Sequence, residues 1–145
     1  MKRIIPSLII YLSLLSASVS VLSADLTIEI SELRNTKGSI QLAIYDNEED
    51  FQSDASEEVF MAVSSKVTSK TLSYTIHDIP EGHYAVTVIH DENNSQNLDM
   101  SGRTPLEGLA YSGTKSKLTK PSFQRAATKV SKRSKTITVK LNYYN

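Results

Sequence analysis

Apolar residues alternate with polar ones over most of this chain, the period of strands with one face buried and the other in water. Leu26, Ile28 and Ile30 alternate with Thr27, Glu29 and Ser31, and after turn chemistry at Asn35 to Gly38 the rhythm returns in Ile40, Leu42 and Ile44. The two runs predict strands joined as a hairpin with a longer loop. Asp46 to Glu58 is acidic and polar around Phe51, which predicts a surface crossing with a short helical turn. Phe60 to Val67 and Thr71 to Ile76 are two further strands, the second with Leu72, Tyr74 and Ile76 on one face. Pro80 and Gly82 then punctuate a turn, after which Tyr84, Val86, Val88 and His90 alternate with Ala85, Thr87 and Ile89. Both faces of that strand are largely apolar, which places it centrally in its sheet.

From Met100 to Lys120 the pattern predicts a long irregular stretch, holding Gly102, Pro105, Gly108 and Gly113. Pro121 is placed to open a single helical turn through Phe123 and Ala127, because proline is tolerated at a first helical position. Ile137, Val139, Leu141 and Tyr143 mark a final strand from Lys135 to Tyr144. About seven short strands with almost no helical periodicity predict an all-β fold, an antiparallel β-sandwich.

The N-terminus adds a compartment. Lys2 and Arg3 precede an apolar run from Ile4 to Leu15, followed by small residues and possible cleavage points after Ser23 or Ala24. This is the layout of a secretory signal peptide over residues 1–24. The competing reading, a membrane anchor, is weakened by Ser13, Ser16, Ser18 and Ser20, since a span needs about 20 apolar residues. Residues 25–145 are then one domain, of a size that hides roughly two thirds of its unfolded surface. The chain has no cysteine, so an exported protein manages here without disulfides, thiolate metal sites or a thiol nucleophile. A periplasmic location is expected, with an extracellular one as the alternative and no transmembrane span after cleavage.

Charge is balanced overall and unevenly placed. Sixteen acids face five bases from Asp25 to Glu107, whereas nine bases and no acid follow from Gly108 onward. A binding tail is one reading of such a contrast. The plainer one is that the basic part packs beside the acidic part, because it carries its own strand pattern. Binding of nucleic acid is not expected, since few aromatics are interleaved with the lysines as stacking platforms. Gripping of an anionic envelope surface would need Lys115, Lys117, Lys129, Lys132 and Arg133 on one exposed face.

The candidate chemistry lies in HDENNSQNLD, residues 90–99. Asp91, Asn93, Ser95, Asn97 and Asp99 recur at every second position, a stagger by which one loop can wrap oxygens around a hard cation, with Glu107 completing the set from farther along. A calcium loop of the EF-hand kind puts glycine at its sixth place and a bidentate glutamate at its twelfth, where this chain has Gln96 and Gly102. Any Ca²⁺ site built here is therefore weak, of the 10⁻⁴ to 10⁻³ M class, and no cofactor is required. The plainer reading is that Asp and Asn bond their own backbone in Asx-turns. Asn93, Asn94 and Ser95 also match a glycosylation sequon, expected to be accidental in a bacterial protein.

Catalysis finds less support. Adjacent strand residues point to opposite faces, so His90 and Asp91 need not meet, and Ser112 lacks the glycine two residues earlier that a nucleophile elbow uses. An enzyme built on His90, Asp91 and Glu107, in a pocket under the Met100 to Lys120 loop, is the alternative to a noncatalytic binding or accessory domain.

The succession GSIQLAIYDNEEDF, IPEGHYAVTVIHDENNSQNLD, GRTPLEGLAYSG, KPSFQRA and KTITVKLNYY resembles the bacterial family catalogued as domain of unknown function 2141. The match covers nearly the whole mature chain in order. Its most specific element is the Gly-x-Tyr-Ala strand ending in His-Asp-Glu-Asn, continued by Leu-Asp and then by Gly-x-x-Pro-x-Glu-Gly. The resemblance implies an exported, immunoglobulin- or transthyretin-like β-sandwich of unestablished role. It also implies a usual loop of Asp-x-Asn-x-Asn-Gly-x-Leu-Asp, from which this chain departs at Ser95 and Gln96. The expected function is thus a noncatalytic domain that binds protein, carbohydrate or an envelope surface.

Overall fold

Leu26, Ile28 and Ile30 of the first strand, β1 (Ser23–Ser31), all turn inward and are buried. The computed structural model describes residues 23–53, 59–114 and 119–144. The expected signal peptide therefore falls almost wholly outside the described residues, although Ser23 and Ala24 are the first residues of β1. Eleven further elements follow: β2 (Ser39–Tyr45), α1 (Glu48–Ser53), β3 (Met61–Lys66), β4 (Leu72–Pro80), β5 (Gly82–Asp91), β6 (Met100–Ser101), β7 (Thr104–Pro105), β8 (Gly108–Tyr111), α2 (Phe123–Ala126), β9 (Thr128–Val130) and β10 (Lys135–Lys140).

Two sheets form a β-sandwich. One runs β10-β1-β4 and the other β3-β2-β5-β8, with β9 alongside residues 82–84 of β5. All pairings are antiparallel except β1 with β10, which run parallel from Leu26 opposite Lys135 to Ser31 opposite Lys140. The inward rows of both sheets meet in one core: Ile28 and Ile137 from the first, Ile40, Leu42, Val86 and Val88 from the second. Each such side chain contributes about 1.5–3 kcal/mol by leaving water.

The expected hairpin of the first two strands does not form. β1 pairs with β4 and β10, whereas β2 pairs with β3 and β5. Alternation alone fixes which face of a strand is buried, not which strand lies beside it. Here the buried Leu33 helps carry the connection across the core to the opposite sheet. The expectation of a central β5 holds, with β2 on one side and β8 on the other over residues 87–90. The stretch expected to be irregular instead contains β8 and the small β6-β7 hairpin. Four residues, Gly108 to Tyr111, are too few to show a period, and pairing with β5 makes them a strand. The final strand stops at Lys140, short of Tyr144, after which Leu109 and Asn142 form an isolated bridge.

A second cluster sits on the outer face of the sheet that contains β2 and β5. Phe51 of α1 is fully buried there against Tyr45, Ala85 and Ala126, with Tyr111 and Phe123 packed around it. Asn47 caps α1 by accepting the Asp50 N–H at 2.9 Å, which satisfies one of the donors a helix start leaves open. The turn expected after Pro121 is α2, and it lies beside α1. Together the two short helices cover one end of that outer face. No helix among the described residues is long and apolar enough to cross a membrane.

Candidate functional site

At the opposite end of the same outer face stands the 91–99 loop, held by two buried carboxylates. Asp91, the last residue of β5, accepts the Ser95 N–H at 3.0 Å on one oxygen and the Gln96 N–H at 2.8 Å on the other. The second oxygen also accepts from the Gln41 Nε2 of β2 at 2.8 Å. Glu107 ties both feet of the loop together, accepting the Glu92 N–H at 3.0 Å and the Asp99 N–H at 3.2 Å. Burial pushes the Glu107 carboxyl above its usual range; those two N–H bonds oppose the shift, and Asp91 and Asp99 add to it.

The remaining oxygens of the stagger bond within the loop. Asn93 accepts the Ser95 N–H at 2.9 Å and donates to the Asp99 carboxylate at 2.6 Å. The Ser95 hydroxyl donates to the Asn97 carbonyl at 3.0 Å, while the Asn97 amide donates to the Ser95 carbonyl at 3.0 Å. These are the Asx-type bonds that such residues offer a tight turn. Among the described residues, no three His, Asp or Glu side chains converge as a group that could hold a metal ion. The backbone is nonetheless bent as the missing glycine predicts: Gln96 takes φ 64° and Asn94 φ 59°.

His90 and Asp91 face opposite ways. The His90 ring is fully buried on the core side, its Nε2 2.8 Å from the Lys37 carbonyl and its Nδ1 2.7 Å from the Tyr143 hydroxyl. A carbonyl only accepts, so Nε2 is the donor there, and in the tautomer protonated at Nε2 the Nδ1 accepts the Tyr143 O–H. His90, Asp91 and Glu107 are therefore each bonded into the fold, with His90 separated from the two carboxylates by the sheet. Ser112 is likewise structural: its hydroxyl accepts the Val86 N–H at 2.8 Å, extending the pairing of β8 with β5. At the first foot of the loop, Glu92 is paired with Arg34, whose guanidinium lies 4.6 Å above the Tyr143 ring. Of the basic residues expected to cluster, Lys129, Lys132 and Arg133 are exposed, and Lys115 and Lys117 lie outside the described residues.

Between the loop and the aromatic cluster the outer face is hollow. The register sets Ala62, Ala43, Thr87 and Tyr111 in one row across four strands, and Ser64, Gln41, Ile89 and Leu109 in the next. Because Ala43 and Ala62 are small, the floor sinks there. Tyr111 forms part of one wall, and Asn94, Gln96 and Asn97 of the loop overhang it. The resulting groove is open to solvent along one side and has a volume of about 930 Å³. No Asp, Glu, Lys, Arg or His lines it among the described residues. Beneath the floor the Thr87 hydroxyl is buried away from the groove space without a hydrogen-bond partner, alone in this among the described buried side-chain polar atoms. A buried unpaired polar group costs about 1–3 kcal/mol.

Sequence reasoning passed over the groove residues. Thr87 interrupts an apolar strand, and Ser39 and Gln41 are the polar alternates of β2, but only the register reveals that they share one face with the loop.

A family model described as an uncharacterized protein conserved in bacteria, domain of unknown function 2141, matches residues 28–138. No curated protein matches the chain. Among solved structures, a pilus-presented adhesin is similar at 14% identity and a TM-score of 0.35, over 84% of this chain and 28% of that one. The chain thus spans less than a third of that protein's length.

Proposed function

The chain belongs to that uncharacterised bacterial family, and from this premise we propose that it is a noncatalytic binding domain whose ligand surface is the groove on the outer face of the sheet that contains β2 and β5. The observation that carries the reading is the hollow itself, floored by Gln41, Ala43 and Ala62 and overhung by Asn94, Gln96 and Asn97 of the loop. The loop of residues 91–99 then serves as the groove's fixed rim, held by Asp91 and Glu107 before any ligand arrives, which lowers the ordering cost of binding.

An envelope or extracellular setting is part of the proposal, supported by the leader-like residues 1–24 and the absence of cysteine. Calcium is not part of it, since among the described residues no three acidic or histidine side chains converge.

The test is a titration of isotope-labelled protein with three probe panels: neutral oligosaccharides, extended peptides and anionic lipid vesicles. Binding at the groove shifts the backbone amides of Ala43, Thr87, Ile89 and Gln96 together. Probes that bind while leaving those amides still would assign recognition to another surface and overturn the reading.

A further inference from the structure

We propose that two copies of this chain pair through β3, antiparallel about a two-fold axis at Ser64, so that the sheet containing β2 and β5 runs on from one protomer into its partner. The pairing is independent of any ligand in the groove. Among the described residues β3 is paired with β2 alone. The Val67 N–H donates to the Gly38 carbonyl at 3.1 Å, which sets the phase of that ladder, since hydrogen-bonded pairs alternate with non-bonded ones. Met61, Val63 and Ser65 therefore turn their amides to β2, while Ala62, Ser64 and Lys66 turn theirs outward.

An open strand edge is a template for another chain, and folds blunt such edges with charge, proline, bulges or cover. The other edges here are blunted. The β8 edge is bridged by Asn142, which exchanges backbone bonds of 3.0 and 3.1 Å with Leu109. The β10 edge carries exposed Lys135 and Lys140, and β4 is bent by Asp78 at φ 56° before it ends on Pro80. Along the six residues of β3 there is no proline and no break in register, and the one charge is Lys66 at its end.

Charge selects a second copy as the occupant. β3 starts opposite the end of β2, beside the exposed Asp46, Glu48 and Glu49, and finishes at Lys66, with exposed Lys37 and Lys70 on the flanking turns. Those three lysines are most of the five bases between Asp25 and Glu107, and Glu92 is already paired with Arg34. An antiparallel copy lays the basic end of each strand against the acidic end of the other, and the two-fold axis makes the match twice. With Ser64 on the axis all three outward residues are used: Ala62 faces the partner's Lys66, and Ser64 faces the partner's Ser64. No like charges then stand opposite each other.

The experiment measures the mass of the full chain after export by sedimentation, from about 1 μM to about 1 mM. The proposal expects a rise from one chain to two. Ser64→Pro deletes an outward N–H, a change that edge strands tolerate, and should hold the protein as a monomer throughout while it melts, when dilute, as the original does. Lys66→Glu should weaken pairing about tenfold, through two exposed contacts related by symmetry, and adding Glu48→Lys with Glu49→Lys should restore it. The chain has no cysteine, so Ser64→Cys supplies a single thiol. Facing Cα atoms of a bonded pair stand about 5.5 Å apart, within disulfide reach. A mild chemical oxidant should therefore cross-link Ser64→Cys into a covalent dimer and leave Ser73→Cys, on the β4 edge, a monomer. Where Ser64→Pro itself melts lower, Lys66→Glu and the cysteine pair decide. A single-chain mass at every concentration, pairing unmoved by Lys66→Glu, or equal cross-linking at the two cysteines would overturn the proposal.

Discussion

Asp91 and Gln41 are joined by a 2.8 Å hydrogen bond across the β2-β5 pair, from the Gln41 Nε2 to the same carboxylate oxygen that receives the Gln96 N–H. Through that one oxygen the rim of the groove is tied to its floor. The loop is thus registered on the sheet rather than merely emerging from it.

Removing the carboxylate should release the rim. Asp91 is fully buried, and Asp91→Ala takes the acceptor from two loop N–H groups and one amide. A loss of about 2–4 kcal/mol is expected, less than the sum of three charge-assisted bonds because the exposed loop can turn to water. Gln41→Ala should cost about 1 kcal/mol, and the double variant less than the two together. Urea unfolding of the four proteins measures the coupling; strict additivity would show that the Asp91–Gln41 bond does not connect rim and floor.

Gln96 holds φ 64°, a conformation that strains a residue with a Cβ by about 1–2 kcal/mol. Gln96→Gly relieves the strain and gives back part of the gain through greater freedom of the unfolded chain. A net stabilisation of about 0.5 kcal/mol is expected, read as a higher urea midpoint at unchanged slope. Gln96→Ala, which keeps the Cβ, should give no such rise.

How much of this was legible in the sequence follows from what each signal encodes. Alternation placed Ile28, Ile40, Val86 and Ile137 in the core, because burial of one face is written into every second residue. It could not say that β1 and β2 lie in different sheets, since that depends on partners more than a hundred residues away, such as Lys135 opposite Leu26. The loop's Asp91 and Glu107 stood out as carboxylates, but their role as acceptors for the loop backbone is a matter of distance. The groove was illegible for the same reason: Ala43 and Thr87 are unremarkable until the register sets them side by side.

Acid should act through Glu92. The Arg34 guanidinium holds its carboxyl below the usual 4.5, with burial opposing and Asn35 adding to the effect. A carboxyl depressed in the folded state contributes stability above 4.5 that is lost as the pH falls through the folded value. Since the Arg34 side chain is 34% exposed, screening limits the contribution to about 1 kcal/mol or less. Glu107, raised by burial, has the opposite sign, with stability falling as the pH rises from 4.5 through its folded value. Glu92→Gln should therefore flatten the acid limb of the stability profile and Glu107→Gln the segment just above 4.5; profiles parallel to that of the original protein would refute the assignment.

Calcium at about 10 mM, well above the affinity of weak extracellular sites, should leave the melting temperature unchanged. An ion here would have to share Asp91 with the Ser95, Gln96 and Gln41 donors and Asp99 with the Asn93 amide, and among the described residues no third acid converges with them. A rise that disappears in Asp99→Ala would show that the loop opens to a cation after all.

The backbone of Gly38 packs against that of Asp91 and Glu92, which sets it apart from Gly102. At φ 67° a Cβ on Gly38 would stand 1.9 Å from the Asp91 carbonyl oxygen, whereas at φ 60° a Cβ on Gly102 would meet nothing within 4 Å. Gly102→Ala therefore bears only the backbone strain of about 1–2 kcal/mol. Gly38→Ala bears that strain and must also push β5 away at the residue that holds the rim, so a cost of about 3 kcal/mol or more is expected. The two variants differ in reach as well as size. Amide shifts in Gly38→Ala should extend to Gln41, Ser95 and Gln96, while those in Gly102→Ala stay within the β6-β7 turn; equal losses confined to each substituted turn would mean that Asp91 is not fixed by its contact with Gly38.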